Sequence, residues 1–178
     1  IDAMSDPRYA TAGLTDMPVP SIATAPQFTE AKCPAWVYFC CGPRGGYLQR
    51  FLDTPLAKLR MAGWLFYKLQ ARGFLHWGHN YWFVFCTGTP IDPFQDAATG
   101  NWPWMPYGDA FAIYPGEDGP LDSIRWEVFA DSLQDYALLQ TAGLDVDDPL
   151  LRELKTYEIF PKEQSWITAA LQQVLKKS

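Results

Sequence analysis

The stretch Ala35-Trp-Val-Tyr-Phe-Cys-Cys41 constrains the fold more than any other part of this 178-residue chain. It is an unbroken run of apolar, β-forming residues bounded by Pro34 and by Gly42-Pro43. A continuous run, as opposed to an alternating one, is what a strand covered on both faces requires, as in a parallel sheet between helices. A helix is expected next, because Thr54 can cap it, Pro55 suits its first position and Leu56, Leu59, Gly63 and Phe66 recur at helical spacing. Gly73 stands where a glycine would end that helix, and Phe74-Leu-His-Trp77 follows as the next strand.

The rest of the chain continues the alternation. Residues 1–30 read mainly as loop, with Ile1-Asp2-Ala3-Met4 as the tail of a strand and a short helix over Thr29 to Lys32. Residues 78–108 form a long loop dense in Pro, Gly and aromatics, with Phe83-Val-Phe85 as one β segment; loops of that length in a compact domain are usually functional. Asp109-Ala-Phe-Ala-Ile-Tyr114 is predicted as a third parallel strand. A helix is expected over Leu121 to Ala142 with Gly143 as its stop, a short one over Leu150 to Thr156, and a last one over Pro161 to Lys177.

Strands separated by helices imply parallel strands with crossover connections. A doubly wound nucleotide-binding sheet would place a patterned glycine-rich turn after a strand, and Gly42 to Gly46 lacks that pattern. The expected fold is therefore α/β, the C-terminal half of a (β/α)8 TIM barrel. A whole barrel takes roughly 250 residues, so residues 1–178 are expected to be a single partial domain, its C-terminal helices at about 147–178, beginning inside a longer chain. Exposed strand edges would then be covered by a missing N-terminal half or by another copy of the chain.

Composition narrows the partners. Net charge is −6 and the fourteen Lys and Arg are scattered, so no basic stripe offers a nucleic-acid footprint. No apolar run approaches the roughly 20 residues of a membrane span. Cys33, Cys40, Cys41 and Cys86 have no metal-ligand spacing and are expected as small buried hydrophobes; no metal or cofactor is expected. Aromatics are the outlier at 16%, eight of them Trp, which serves either a large core or the stacking of pyranose rings on flat π surfaces.

In a barrel, function gathers where strands end. Trp77, His79, Asn80, Tyr81, Trp82, Trp102, Trp104 and Tyr107 cluster in the loop after the second strand, where rings supply stacking area while Asn80 and His79 supply directional hydrogen bonds. His76 reads as a satisfied core histidine, Glu117-Asp118 as a solvated loop tip, and Glu127 as a structural helix residue. A glycosidase normally needs two carboxyl groups about 5 to 9 Å apart, and no such pair stands out.

These residues resemble a known family. Trp36-Val-Tyr-Phe-Cys-Cys-Gly-Pro43, Tyr47-Leu-Gln-Arg-Phe-Leu-Asp-Thr-Pro55, Trp64-Leu-Phe-Tyr-Lys68, Gly73-Phe-Leu-His-Trp-Gly-His-Asn-Tyr-Trp82, Tyr107-Gly-Asp109, Tyr114-Pro-Gly116, Ser123-Ile-Arg-Trp-Glu127 and Asp131 to Tyr136 are similar, in order, to the catalytic domain of glycoside hydrolase family 123. The resemblance implies β-N-acetylgalactosaminidase-like activity on glycosphingolipid or related glycans by a substrate-assisted, retaining route. There the 2-acetamido oxygen attacks the anomeric carbon, an Asp orients that group and the adjacent Glu is general acid and base. This chain contains no Asp-Glu dipeptide, so the catalytic pair is expected upstream of Ile1. Gln49-Arg50 stands for the family's Asn-Arg, and His76 occupies a position where Tyr is expected.

The expected role is a sugar-binding wall built by Tyr38, Tyr47, Arg50, Trp77, His79, Asn80, Tyr81, Trp82, Asp109 and Tyr114, with a carbohydrate as partner. A secreted or periplasmic location is what the resemblance implies. Two other readings stay open: a non-catalytic carbohydrate-binding or scaffold module, and an enzyme whose acids are Asp109 and Glu127.

Overall fold

In the computed structural model, which describes residues 2–177, the chain opens with four very short strands that run the same way. β1 (Asp2–Ala3) pairs parallel with β2 (Pro18–Val19), and β3 (Val37–Tyr38) pairs parallel with β4 (Phe74–Leu75). The two pairs are joined by a parallel bridge between Ser21 and Tyr38, with the Trp36 and Tyr38 amides donating to the Pro18 and Pro20 carbonyls at 3.1 Å. Each connection carries a helix: α1 (Arg8–Thr11), then α2 (Ala25–Glu30), then α3 (Leu56–Arg60) with α4 (Ala62–Lys68). Parallel neighbours need such crossovers because a tight turn cannot reverse the chain twice.

Packing explains why these segments hold. Phe39, Phe66, Phe74 and Phe129 form an aromatic core beneath β3 and β4, with centroids 4.8 Å apart for Phe39–Phe74 and 5.3 Å for both Phe66–Phe74 and Phe74–Phe129. Residues 62–66 of α4 are all buried, because the helix lies between this core and α5 (Ile124–Thr141). Gly63 makes that contact possible: a Cβ there would sit 1.7 Å from the Ser132 carbonyl oxygen. Beside it, Arg60 donates to Asp135 at 2.7 and 2.9 Å and to Asp131 at 3.0 Å, while the Trp64 indole donates to Asp135 at 3.0 Å. α6 (Gln164–Val174) closes the core through Ile167, Ala170 and Val174, with Trp166 edge-on to Trp64 at 5.3 Å.

Several sequence expectations are corrected. The expected 35–41 and 74–77 strands shorten to β3 and β4. Helical structure after β2 spans 25–30 in place of 29–32, and the 121–142, 150–156 and 161–177 helices become α5, a 3-10 turn over Pro149–Leu151 and α6. Thr54 does not cap α3; its hydroxyl accepts the Phe51 amide instead, at 3.1 Å. Gly73 is not the helix stop either. Gln70 takes the left-handed conformation at φ 55°, and Gly73 lies under the Trp36 ring, 2.5 Å from where its Cβ would be. Gly143, at φ 60°, does end its helix. Phe83 contributes only a bridge to Pro90.

The largest difference concerns the third stretch. Residues 109–112 are not a strand of the parallel ladder. Phe111 bridges antiparallel to Asn80, and β5 (Ile113–Pro115) turns back antiparallel onto β6 (Pro120–Asp122). The long loop folds over this stretch, so Ala110, Phe111 and Ala112 are buried without parallel partners. Among the described residues, no helix is long and apolar enough to cross a membrane.

Candidate functional site

Where β3 and β4 end, a buried carboxylate gathers polar side chains. Asp109, 2% exposed, accepts from the Trp77 indole at 2.8 Å and lies 3.4 Å from the Cys41 sulfur through the same oxygen, Oδ2. Its other oxygen lies 3.4 Å from His76 Nε2. Cys41 follows β3, while His76 and Trp77 follow β4, so the parallel pairing brings them level; Gly108-Asp109 enters from the end of the long loop. The Gly78 backbone touches Ala110, which leaves no room for a Cβ (2.5 Å to the Ala110 oxygen) and draws the two segments together.

Two guanidinium groups brace the cluster from below. Arg50 donates to the Gly78 carbonyl at 3.0 Å; Arg125, from α5, donates to the carbonyls of Arg50, Gly108 and Phe111 at 2.7 to 2.9 Å. Both are pushed down in pKa by burial, Arg50 to about 10, with mutual repulsion adding to the effect at Arg50 and Asp109 opposing it in both. Burial, followed by the Asp109 charge, raises the Cys41 thiol to about 12.

His76 defines what this cluster lacks. Its Nδ1 lies 2.6 Å from the Gly78 carbonyl oxygen. The Gly78 amide also donates to Nδ1, at 3.2 Å, so this nitrogen faces both an acceptor and a donor of the same residue. Burial lowers the basicity of His76, and the nearby Asp109 only partly offsets it. Nε2 lies 3.4 Å from Asp109 Oδ1 and has no closer hydrogen-bond partner. Arg50 Nε and Gln49 Oε1 are likewise buried without partners. Buried polar atoms are nearly always paired, so these three, like Thr99 Oγ1 and the Tyr157 hydroxyl elsewhere in the chain, carry hydrogen-bonding capacity that the protein's own groups leave unused. Alongside, a cleft of about 540 Å³ is lined by residues including Gln49, Lys58, Met105 and Tyr107; the Met105 sulfur lies 3.7 Å from that of Cys41.

Of the residues expected to form the site, Arg50, Trp77 and Asp109 converge, and Tyr81 joins them by packing on Trp77 at 5.4 Å. Tyr38 lies next to Cys40, which with burial raises its phenol. The others have different partners. Tyr47 packs against the core and has Glu158 as neighbour. His79 is exposed, edge-on to Trp126 at 4.6 Å, and Asn80 is exposed while its backbone bridges to Phe111. The Trp82 indole donates to the Ile113 carbonyl at 2.9 Å; Tyr114 packs between Phe94 and Phe111, and its phenol is hydrogen-bonded to Arg125 beneath the cluster. Trp104 and Tyr107 are largely exposed. Glu127 is exposed on the first turn of α5 whereas Asp109 is buried, so the two carboxyls occupy different environments.

His76, taken as a satisfied core residue, is half satisfied and belongs to the site. Cys41, Gln49 and Arg125 also belong to it, although sequence reasoning passed over their roles. One signal was available for His76: it shares a strand face with Phe74, and a polar side chain on the core face at a strand's C-terminal end points to function. The cysteines are free thiols but not all buried, since Cys86 is exposed and the other three are half-buried. Among the described residues, no group of three His, Cys, Asp or Glu side chains is placed to hold a metal ion.

A family model described as the glycoside hydrolase 123 catalytic domain matches residues 1–142. No curated protein matches the chain.

Proposed function

We propose that this chain, which belongs to the glycoside hydrolase 123 catalytic-domain family by its match over residues 1–142, supplies the sugar-binding wall for hydrolysis of N-acetylhexosamine glycans. The fold proposed for the parent protein is a (β/α)8 barrel in which these strands are the later ones. The run of parallel strands with helical crossovers and the gathering of polar groups at strand ends support that reading. The catalytic Asp-Glu pair of a substrate-assisted mechanism would come from residues upstream of Ile1.

The observation that carries the proposal is the polar cluster at the ends of β3 and β4, where buried Asp109 holds the Trp77 indole and faces His76. Trp77, its indole nitrogen held by Asp109, keeps part of its ring surface open for stacking beside that cluster. A preorganised arrangement of this kind reduces the ordering cost of binding.

The test uses the full-length protein and an aryl β-N-acetylgalactosaminide. Asp109→Asn is expected to raise KM and lower kcat/KM by about tenfold or more, the cost of leaving buried polar groups mispaired. The purified 178-residue chain alone is expected to hydrolyse none of it. Turnover by that chain, or full activity of Asp109→Asn, would refute the proposal. Saturable binding of N-acetylgalactosamine with no hydrolysis by the full-length protein would identify a non-catalytic binding module instead.

A further inference from the structure

At the end of the parallel strands opposite the Asp109 cluster, the chain forms a second hollow. It holds about 690 Å³, within the range of small-molecule sites. Its lining includes residues 32–35 and 69–72, which lead into β3 and β4, whereas Cys41, His76 and Trp77 follow those strands. A further wall, Lys155 to Tyr157, comes from the segment beyond residue 142, outside the family match.

The hollow is apolar inside and cationic at its rim. Phe28 of α2 and Val37 of β3 are buried lining residues, while Leu69 and Ala71 are half-buried and keep apolar surface open to it. Lys32, Arg72 and Lys155 are exposed on the lining, with Glu30 as the acidic residue among them. Three cations less one carboxylate give the rim a charge of +2, in a chain whose net charge is −6. None of the three cationic heads forms an ion pair among the described residues. Positive charge is therefore concentrated, and left unmatched, around the mouth of an apolar hollow.

Two of the lining positions also depart from the usual chemistry of a helix end. α2 and α4 are each followed by a residue in the left-handed conformation, Lys32 at φ 53° and Gln70 at φ 55°. Glycine adopts that conformation without strain and is the common choice there. The chain instead places long polar side chains at both points, and both line the hollow. Backbone strain of this kind gathers where ligands are held.

We propose that this hollow binds an amphiphilic carboxylate, its apolar body against Leu69, Ala71 and the Phe28–Val37 floor and its head among Lys32, Arg72 and Lys155. Arg72 offers the planar fork that suits a carboxylate, and the two lysines add point charges. Glu30 works against a head of higher negative charge. A neutral sugar would leave the three cations unmatched, so this site differs in ligand class from the Asp109 cluster and does not rest on the sugar reading.

The test is titration of the full-length 15N-labelled protein with octanoate, octylammonium and acetate, probes that separate the head from the body. Octanoate should bind saturably with a Kd of about 1 mM or tighter, and octylammonium about tenfold more weakly, the combined size of several exposed ion pairs. Acetate should not saturate. The Leu69 and Ala71 amide resonances should move with octanoate while the Trp77 indole stays fixed. Arg72→Gln combined with Lys155→Gln should weaken octanoate roughly fivefold to tenfold, and Lys176→Gln, an exposed lysine outside the lining, should leave it unchanged. All three substituted side chains are exposed, so the variants keep the fold, which an unchanged melting curve verifies. Octylammonium that binds as tightly as octanoate overturns the site, as does a double variant with wild-type affinity. So do octanoate shifts confined to Trp77, or no saturation by octanoate at about 10 mM.

Discussion

Replacing Trp77 by Phe tests the structural claim that Asp109 is held by an indole hydrogen bond. The substitution keeps an aromatic ring at this position but removes the one nitrogen that donates to Oδ2 at 2.8 Å. Asp109 is 2% exposed, so water does not replace that donor, and the remaining neighbours on the two oxygens are the Cys41 thiol and the His76 nitrogen, each at 3.4 Å. Hydrogen bonds to charged groups are worth about 1.5–3 kcal/mol. Trp77 itself is 38% exposed, which keeps the hydrophobic loss small and puts the expected cost near the lower end, about 1.5–2 kcal/mol. For a domain of this size that corresponds to a fall in Tm of roughly 3–8 °C. Circular dichroism melts of wild type, Trp77→Phe and the control Trp104→Phe give the readout. Trp104 is 75% exposed, so its variant should stay within about 0.5 kcal/mol of wild type. Equal melting of all three proteins would refute the reasoning, because Asp109 would then not depend on the indole.

Gly63→Ala should destabilise by at least 1–3 kcal/mol in urea unfolding, because its Cβ would overlap the Ser132 carbonyl of α5; Gly88→Ala, with open space around it, should be near neutral. His76 stays neutral in the fold, its pKa held below the ordinary 6.5 by burial. Above that value folded and unfolded states are both neutral there, whereas below it the unfolded chain takes up the proton first. Urea midpoints should therefore fall as pH drops through and below 6.5, and His76→Gln should flatten that part of the profile. Cys41, raised to about 12, should resist iodoacetamide at neutral pH while exposed Cys86 is alkylated first, as peptide mass spectrometry would record.

The βα unit around β3 was legible because no polar residue interrupts 35–41, although the structure buries only Ala35, Val37 and Phe39 there and leaves Trp36, Tyr38 and Cys40 half-buried, so the strand is not covered on both faces. The same signal misled at 109–114. A segment covered by a loop is as apolar as one covered by helices, and periodicity cannot tell which neighbour does the covering. Capping failed at Thr54 for a related reason, since a hydroxyl that can cap a helix can equally accept an amide in the preceding turn. That Trp77 lies at the cluster follows from its place at a strand end; Asp109, read as the start of a strand, reaches the same point only because the long loop folds back there. His76 was half legible, since its buried position follows from strand alternation, but the orientation of its two nitrogens depends on the Gly78 carbonyl, which only the bend after β4 brings near. Tyr47, His79, Trp82 and Tyr114 fit the composition of a sugar site, yet each has a nearer partner that no spacing rule reveals.

The central claim is that the Asp109 cluster binds a sugar through the Trp77 ring that Asp109 holds in place. Titration of the 15N-labelled chain with N-acetylgalactosamine, followed at the indole N–H resonances, tests it most directly. The Trp77 resonance should shift saturably, that of exposed Trp104 should stay fixed, and Asp109→Asn should abolish the response. A Trp77 signal that does not move at millimolar sugar, or that moves equally in Asp109→Asn, would contradict the account.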